Sequence, residues 1–222
     1  MTITDLPSPN FNDRKAPTRF VVLHYTGMET GQAAIDRLRD PDAGVSAHYV
    51  VEEDGNVLRL VDEDRRAWHA GVGEWQGETD MNSASIGIEI VNGGHDFGLP
   101  DYPDAQIDAV ISLVKDILLR RELTPAAVIG HSDLAPGRKQ DPGEKFPWRR
   151  LADAGGAIWP SLIDAESDDV ESDLAKIGYG VSAGLPAVIE AFQRRFRPSA
   201  VSGDADDETR RLIKAVAAMS GH

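Results

Sequence analysis

The sequence contains no cysteine among its 222 residues. This absence excludes disulfide bonds, a thiolate nucleophile and cysteine metal ligands. A run of clustered lysines and arginines is also missing, and the formal net charge is -14. Nucleic acids and anionic membranes are therefore not expected as primary partners, because both are attracted to basic surfaces.

Long apolar segments are missing as well. No run of 18 apolar residues occurs, so we expect no membrane span. Residues 1–17 lack a basic start followed by an apolar core, and no cysteine is available for lipid attachment. We therefore expect a cytoplasmic protein. A periplasmic location is the alternative if the native N-terminus carries a signal peptide that is removed.

Residues 1–163 mix strand-like and helix-like patterns. Short apolar runs predict buried strands at residues 19–25, 85–91 and 126–130. The segment 47–61 predicts a hairpin around the turn EDGN. Helical spacing of apolar residues predicts a helix over 104–123 with the core stripe Ile107, Val110, Ile111, Val114 and Ile117. The expected fold class is α/β, with a mixed β-sheet flanked by helices.

The composition changes after residue 163. Residues 164–173 are acidic and predict a linker that runs into a helix, and apolar spacing predicts three short helices in the remainder. We therefore expect a catalytic-type domain over 1–163 and a small three-helix domain over 164–222. A unit this short is marginal on its own, so we expect it to lean on the first domain.

The strand pattern at 85–91 places a carboxylate among apolar residues. Alternation puts Ile86, Ile88 and Ile90 on one face and Ser85, Gly87 and Glu89 on the other. An unpaired buried carboxylate is costly. Either this second face is wet, or Glu89 lines a cleft where it can serve as a general base. The pattern leaves both interpretations open.

Two histidines share a setting that suits ligand binding. His24 and His131 each lie at or just past the end of a short apolar strand, where binding groups gather in open α/β sheets. Asp141 follows in a loop shaped by proline and glycine. Two imidazoles and one carboxylate suit zinc. Spacing alone also allows hydrogen-bonded core histidines and a turn aspartate.

Three further residues have two interpretations each. Lys139 either stabilises negative charge on a reacting oxygen or is a solvated surface lysine. Trp68 and His69 lie in the segment RRAWHAG, which forms either a binding wall or part of the core. We expect core packing for Trp68 and a pocket position for His69.

Together, these residues resemble the zinc-dependent N-acetylmuramoyl-L-alanine amidases of the type-2 amidase family, particularly its bacterial AmpD and AmiD subgroup. The likeness runs from about residue 19 to 150, through VVLHYTG, VSAHYVVEEDGNV, RAWHAGVGEW, NSASIGIEIVN and GHSDLAPGRKQDPGEKFPW. The later stretch AFQRRFRPSAVSGDADDETRRLI resembles the peptidoglycan-binding domain that follows the catalytic domain in AmiD-type enzymes.

The resemblance implies a role for each matching residue. It implies zinc ligands at His24, His131 and Asp141, a catalytic base at Glu89 and an oxyanion partner at Lys139. It also places Arg138 where the subgroup contacts the stem peptide, and we expect His69 in the substrate pocket. Phage-type members have a tyrosine where this chain has Ala47, which favours Glu89 as the base.

The function implied by the resemblance is hydrolysis of the amide between N-acetylmuramic acid, or its 1,6-anhydro form, and L-alanine of the peptidoglycan stem peptide. We expect Zn2+ as cofactor, peptidoglycan or muropeptide fragments as partners, a monomer, and a role in cell-wall recycling. The alternatives are a non-catalytic peptidoglycan receptor, an exported amidase that remodels the wall, and a general zinc peptidase.

Overall fold

The computed structural model describes residues 2–220, and residues 1, 221 and 222 lie outside this range. Within it, the strands are β1 (Ile3–Asp5), β2 (Phe11–Asp13), β3 (Phe20–Tyr25), β4 (Tyr49–Val51), β5 (Val57–Arg59), β6 (Arg65–Ala67), β7 (Ser85–Ile90) and β8 (Val128–Gly130). Six of them form one mixed sheet in the order β1-β5-β4-β7-β3-β8. Only the predicted β4–β5 hairpin is antiparallel in this sheet, and β2 and β6 form a separate antiparallel pair.

The α-helices of the described range are α1 (Gly31–Arg39), α2 (Met81–Ala84), α3 (Asp104–Arg120), α4 (His131–Leu134), α5 (Trp148–Asp153), α6 (Val170–Ile177), α7 (Leu185–Phe196) and α8 (Asp207–Met219). Short 3-10 helices cover His95–Phe97, Pro125–Ala127 and Val181–Ala183. The predicted class, a mixed sheet flanked by helices and followed by three helices, is confirmed. Across residues 2–220, none of the helices combines the length and the apolar character needed to cross a bilayer.

One face of the sheet is covered by α3. The isoleucines of β7 are fully buried on this side, as their alternation predicted. They share a cluster with the helix residues Ile107, Val110, Leu113, Val114 and Ile117. Ile111 is only partly buried, and α3 ends at Arg120 rather than at Leu123, so the predicted stripe and end were each slightly wrong.

The opposite face is covered at one end by α1 and at the other end by the C-terminal helices. Near β4, α1 packs Ile35 and Leu38 against Val50. At the other end, Phe20 of β3 and Ile129 of β8 lie in one apolar cluster with the C-terminal residues Leu174, Ile177, Phe192 and Ile213. Between these two groups a cavity opens on the sheet, and the polar residues His24 and Glu89 line it.

The three C-terminal helices therefore share a core with the sheet. We refer to residues 164–220 as the C-terminal unit. The shared cluster shows that it packs against the first part of the chain, and its expected dependence on that part for stability stays a prediction. The first C-terminal helix, α6, begins at Val170, within the segment expected to run from a linker into a helix. Asp169 caps it by accepting a hydrogen bond from the Ser172 backbone N–H at 3.0 Å. The division at residue 163 stays a prediction.

A buried carboxylate joins α3 to the hairpin end of the sheet. Glu63 is 5% exposed and accepts hydrogen bonds from Arg120, Arg121 and the Tyr49 hydroxyl at 2.7–2.9 Å. Burial opposes its ionisation, but these hydrogen bonds outweigh burial and lower the pKa of Glu63 to about 2. The ionised carboxylate therefore stabilises the folded protein above the ordinary glutamate pKa.

We expect Glu63→Gln to lower the free energy of unfolding at pH 7 by on the order of 2 kcal/mol. The stabilisation is complete above the unfolded pKa of 4.5 and is lost as the pH falls towards about 2, where the folded carboxyl takes up its proton. Urea unfolding of both proteins between pH 3 and 7 measures this difference. Asp64→Asn, which removes the charge of a side chain that is 79% exposed and paired with Arg121, is the control. A deficit that stays constant or grows on acidification would contradict the account.

Candidate metal centre and catalytic cleft

Three side chains from distant parts of the sequence meet at the carboxyl ends of the parallel strands. His24 lies in β3, His131 begins α4 directly after β8, and Asp141 lies in the loop that follows. Nδ1 of His24 is 2.9 Å from Nδ1 of His131, and each Nδ1 lies within 3.0 Å of Oδ2 of Asp141. All three residues are buried, so the predicted ligand set converges as a possible metal site.

In each candidate histidine ligand, the outer nitrogen Nε2 already has a polar partner. Nε2 of His131 donates to the backbone carbonyl of Ala70 at 2.8 Å. Nε2 of His24 lies 3.0 Å from Nδ1 of His69. A proton held on Nε2 leaves the lone pair of Nδ1 free, which is the tautomer that a metal needs. The surroundings therefore prepare both Nδ1 atoms as ligands.

His69 has its own support behind the site. Its Nε2 faces the Ser85 hydroxyl at 3.4 Å, and that hydroxyl donates to the carbonyl of Met81 at 2.5 Å. A Cβ on Gly87 would lie 2.4 Å from the ring of His69, so only glycine leaves room for this imidazole. The small residues on this face of β7 therefore accommodate the histidine that orients His24. Its predicted role as a substrate contact stays a prediction.

The charges of the cluster match a metal site. Burial, reinforced by the neighbouring His131, lowers the pKa of His24 to about 4, so this imidazole is neutral at neutral pH. Burial acts in the opposite direction on Asp141, but His131 and His24 outweigh it and hold the pKa of Asp141 well below its usual range. A neutral imidazole and an ionised carboxylate are the forms that coordinate a cation.

Glu89 is the register partner of His24 on the adjacent strand β7. Its side chain lines the same cavity as the three candidate ligands, which decides between the two interpretations in favour of the cleft. Oε2 of Glu89 is shielded from solvent and has no hydrogen-bond partner among the described residues. Burial, with a smaller contribution from Asp141, raises the pKa of Glu89 well above its ordinary value.

Lys139 and Arg138 lie on the loop between the second and third ligands. Lys139 and Glu89 line the same cavity. The guanidinium of Arg138 donates to the carbonyls of Ala70 and Val72 and reaches within 3.4 Å of Nε2 of His131. Arg138 therefore donates to the same Ala70 carbonyl that accepts the hydrogen bond from His131.

The cavity has a volume of about 500 Å3 and reaches well beyond the ligands. Trp68 is half-buried and lines it, so its predicted place in the core was wrong; its indole N–H donates to Asn12 at 3.2 Å. The cavity is also lined by Tyr25 and His95, which form with Glu144 a group of three residues that sequence reasoning missed. The Tyr25 hydroxyl lies 2.9 Å from Nδ1 of His95, and Nε2 of His95 lies 3.0 Å from Glu144. No residue pattern in the sequence links these three positions.

Comparison with known proteins agrees with this geometry. The family pattern described as N-acetylmuramoyl-L-alanine amidase (Amidase_2) matches residues 14–144. The chain is 34% identical over 228 residues to N-acetylmuramoyl-L-alanine amidase AmiD of Escherichia coli (strain K12), covering 89% of this chain and 82% of the relative. It is 36% identical over 166 residues to 1,6-anhydro-N-acetylmuramyl-L-alanine amidase AmpD of Enterobacter cloacae, covering 66% of this chain and 86% of the relative.

The likeness extends to three dimensions. The solved complex of AmiD from E. coli with the substrate anhydro-N-acetylmuramic acid-L-Ala-D-gamma-Glu-L-Lys matches at 34% identity with a TM-score of 0.82. The match covers 95% of this chain and 93% of that one, so it includes the C-terminal unit. The matched sequence pattern and the relatives aligned over most of their length show that this chain belongs to the N-acetylmuramoyl-L-alanine amidase family.

Proposed function

We propose that this amidase hydrolyses the amide between N-acetylmuramic acid, or its 1,6-anhydro form, and L-alanine of the peptidoglycan stem peptide, with zinc as its metal. One observation carries the proposal: three ligand atoms converge in a cavity that Glu89 and Lys139 also line. The names of the relatives state this bond, and one relative was solved with an anhydromuramoyl tripeptide.

The donor set fits zinc better than harder cations. His24 and His131 offer imidazole nitrogens and Asp141 offers one oxygen, whereas magnesium and calcium take mainly oxygen ligands. Tetrahedral zinc with bonds of about 2.0–2.1 Å separates its ligands by about 3.3 Å. The donor atoms lie 2.9–3.0 Å apart, so a small outward rotation of the rings makes room for the ion.

The surrounding residues divide the work of hydrolysis. Zinc, when bound, supplies Lewis acidity that polarises the scissile carbonyl and makes a water more acidic. Glu89 takes a proton from the attacking water and passes it to the departing nitrogen of alanine. Burial raises the pKa of Glu89, which makes its carboxylate a stronger base for the first of these transfers. Lys139 donates hydrogen bonds to the carbonyl oxygen as negative charge develops there.

Arg138 is proposed to contact the substrate directly, and His69 to act on it indirectly. Arg138 borders both the metal cavity and a neighbouring groove between residues 71–74 and 180–183, so it stands where a stem peptide leaves the site. A guanidinium in this position suits a peptide carboxylate. His69 lines the cavity but is engaged with His24, so its effect on the substrate is through the metal ligand.

The biological setting is part of the same proposal. Soluble muropeptide fragments of the cell-wall recycling route are the proposed substrates, acted on by a monomer in the cytoplasm. An amidase acting on the intact wall outside the cytoplasm is the rival setting. Fractionation of the native host, with detection of this protein in each compartment, distinguishes the two.

We expect Glu89→Gln to lower kcat for release of peptide from anhydromuropeptide by about 10²–10⁴-fold, because the amide cannot accept the proton. Zinc content and thermal stability should stay near those of the wild type. Glu171→Gln, at an exposed position on α6, is the control. A variant that releases peptide at the wild-type rate would rule out Glu89 as the base.

Lys139→Met should reduce kcat by about 10²–10³-fold with little change in KM, since the ammonium acts on charge that develops only in the transition state. Steady-state kinetics with the same substrate measures kcat and KM separately. Lys176→Met, on an exposed part of α6, is the matched control. A raised KM with kcat unchanged would show that Lys139 only binds substrate.

Gly87→Ala should weaken zinc binding by about 10–100-fold, because the new methyl displaces His69 and removes the partner of His24. Competition with a chelator measures the affinity. Gly77→Ala adds a methyl at a strained backbone position with open space around it, so it should lose stability but keep its zinc affinity. Equal zinc affinity in Gly87→Ala and the wild type would contradict the role given to His69.

A further inference from the structure

The C-terminal unit reaches the metal site through buried polar contacts. We call residues 130–144 the metal loop, because it carries His131 and Asp141. Within it, Asp133 is fully buried and Arg195 of α7 is 3% exposed, and their side chains lie 2.8 Å apart. This ion pair links the C-terminal unit to Asp133, which lies two positions after the candidate ligand His131.

Arg195 holds the chain on both sides of His131. One terminal nitrogen donates to Asp133, and the other donates at 3.0 Å to the carbonyl of Val128, the first residue of β8. The guanidinium also lies over the ring of Trp148, with 4.3 Å between its carbon and the ring centroid. These contacts fix its orientation, so the strand before the ligand and the turn after it are held by one rigid group.

Asp133 also accepts hydrogen bonds from two further groups. Its Oδ2 accepts a hydrogen bond from the backbone N–H of Gly130 at 2.8 Å, and its Oδ1 accepts one from the Tyr179 hydroxyl at 2.7 Å. Tyr179 also belongs to the C-terminal unit. The backbone N–H of Ser132 donates to the carbonyl of Asp141 at 2.9 Å, so the position of the turn is passed to the third ligand.

A second contact lies at the far end of the metal loop. Arg194 of α7 lies 3.6 Å from Glu144, three residues after Asp141. Two consecutive arginines on one helix therefore contact the metal loop, Arg195 just after His131 and Arg194 just after Asp141. Buried ion pairs contribute little net stability, since desolvation offsets their attraction, and their best-supported use is to fix one arrangement among several.

We propose that the C-terminal unit positions the metal ligands, and that Arg195, acting through Asp133, is the positioning residue. This inference rests on the metal site assigned above. It gives the C-terminal unit a task inside the catalytic centre that is separate from any contact with peptidoglycan. The same helix that completes the apolar core also sets the geometry of His131 and Asp141.

The test measures zinc affinity by chelator competition on the full chain. Arg195→Met, which keeps length and removes charge, should weaken zinc binding at least tenfold, the usual scale for loss of an outer contact to a metal ligand. Tyr179→Phe should weaken it in the same direction and by less. Arg197→Met is the control, because Arg197 pairs with Asp206 and Glu208 inside the C-terminal unit and should change affinity less than twofold.

Zinc-free thermal unfolding separates positioning from stability. A folded Arg195→Met protein that binds zinc as tightly as the wild type, even with a lower melting temperature, would overturn the proposal. If Arg195→Met does not fold, wild-type affinity in Tyr179→Phe overturns it instead. The losses of Asp133→Asn and Arg195→Met should be non-additive in the double variant, and full additivity contradicts a shared route. A wild-type chain that binds no zinc would overturn the metal site together with this proposal.

Discussion

A metal site at His24, His131 and Asp141 requires three lone pairs to point at one position, and the surrounding structure fits that requirement. The donor atoms of His24, His131 and Asp141 come from a strand, a helix start and a loop, and they meet within 3.0 Å of one another. Imidazole rings turn freely unless their outer nitrogens are held. The carbonyl of Ala70 and the ring of His69 supply that hold.

The same requirement explains the two faces of β7. Its isoleucines bury against α3, while the other face carries Ser85, Gly87 and Glu89 towards the metal cavity. Ser85 and Gly87 make room for His69, and Glu89 stands beside His24. A carboxylate with a shielded, unpartnered oxygen is a cost to folding that a purely structural strand would not carry. In the function proposed above, this carboxylate is the base that accepts a proton from the attacking water.

The sequence predicted five of the six strands of the main sheet, all but β1, because these depend on local periodicity. It also named the three side chains that converge as a possible metal site, because they lie in motifs that keep their order. It could not assign Trp68, since a half-buried cavity wall and a core position have the same local pattern. The pairing of Asp133 with Arg195 was also out of reach, because it joins residues whose separation carries no periodic signal and depends on how α7 docks.

We propose that the C-terminal unit and the sheet act together to hold a single metal ion. This central claim is tested most directly by diffraction from crystals grown with zinc, with data collected at the zinc absorption edge. The account predicts one anomalous peak about 2.0–2.2 Å from Nδ1 of His24, Nδ1 of His131 and a carboxylate oxygen of Asp141. A map without a peak at that point, or with zinc bound through the Nε2 atoms, would contradict it.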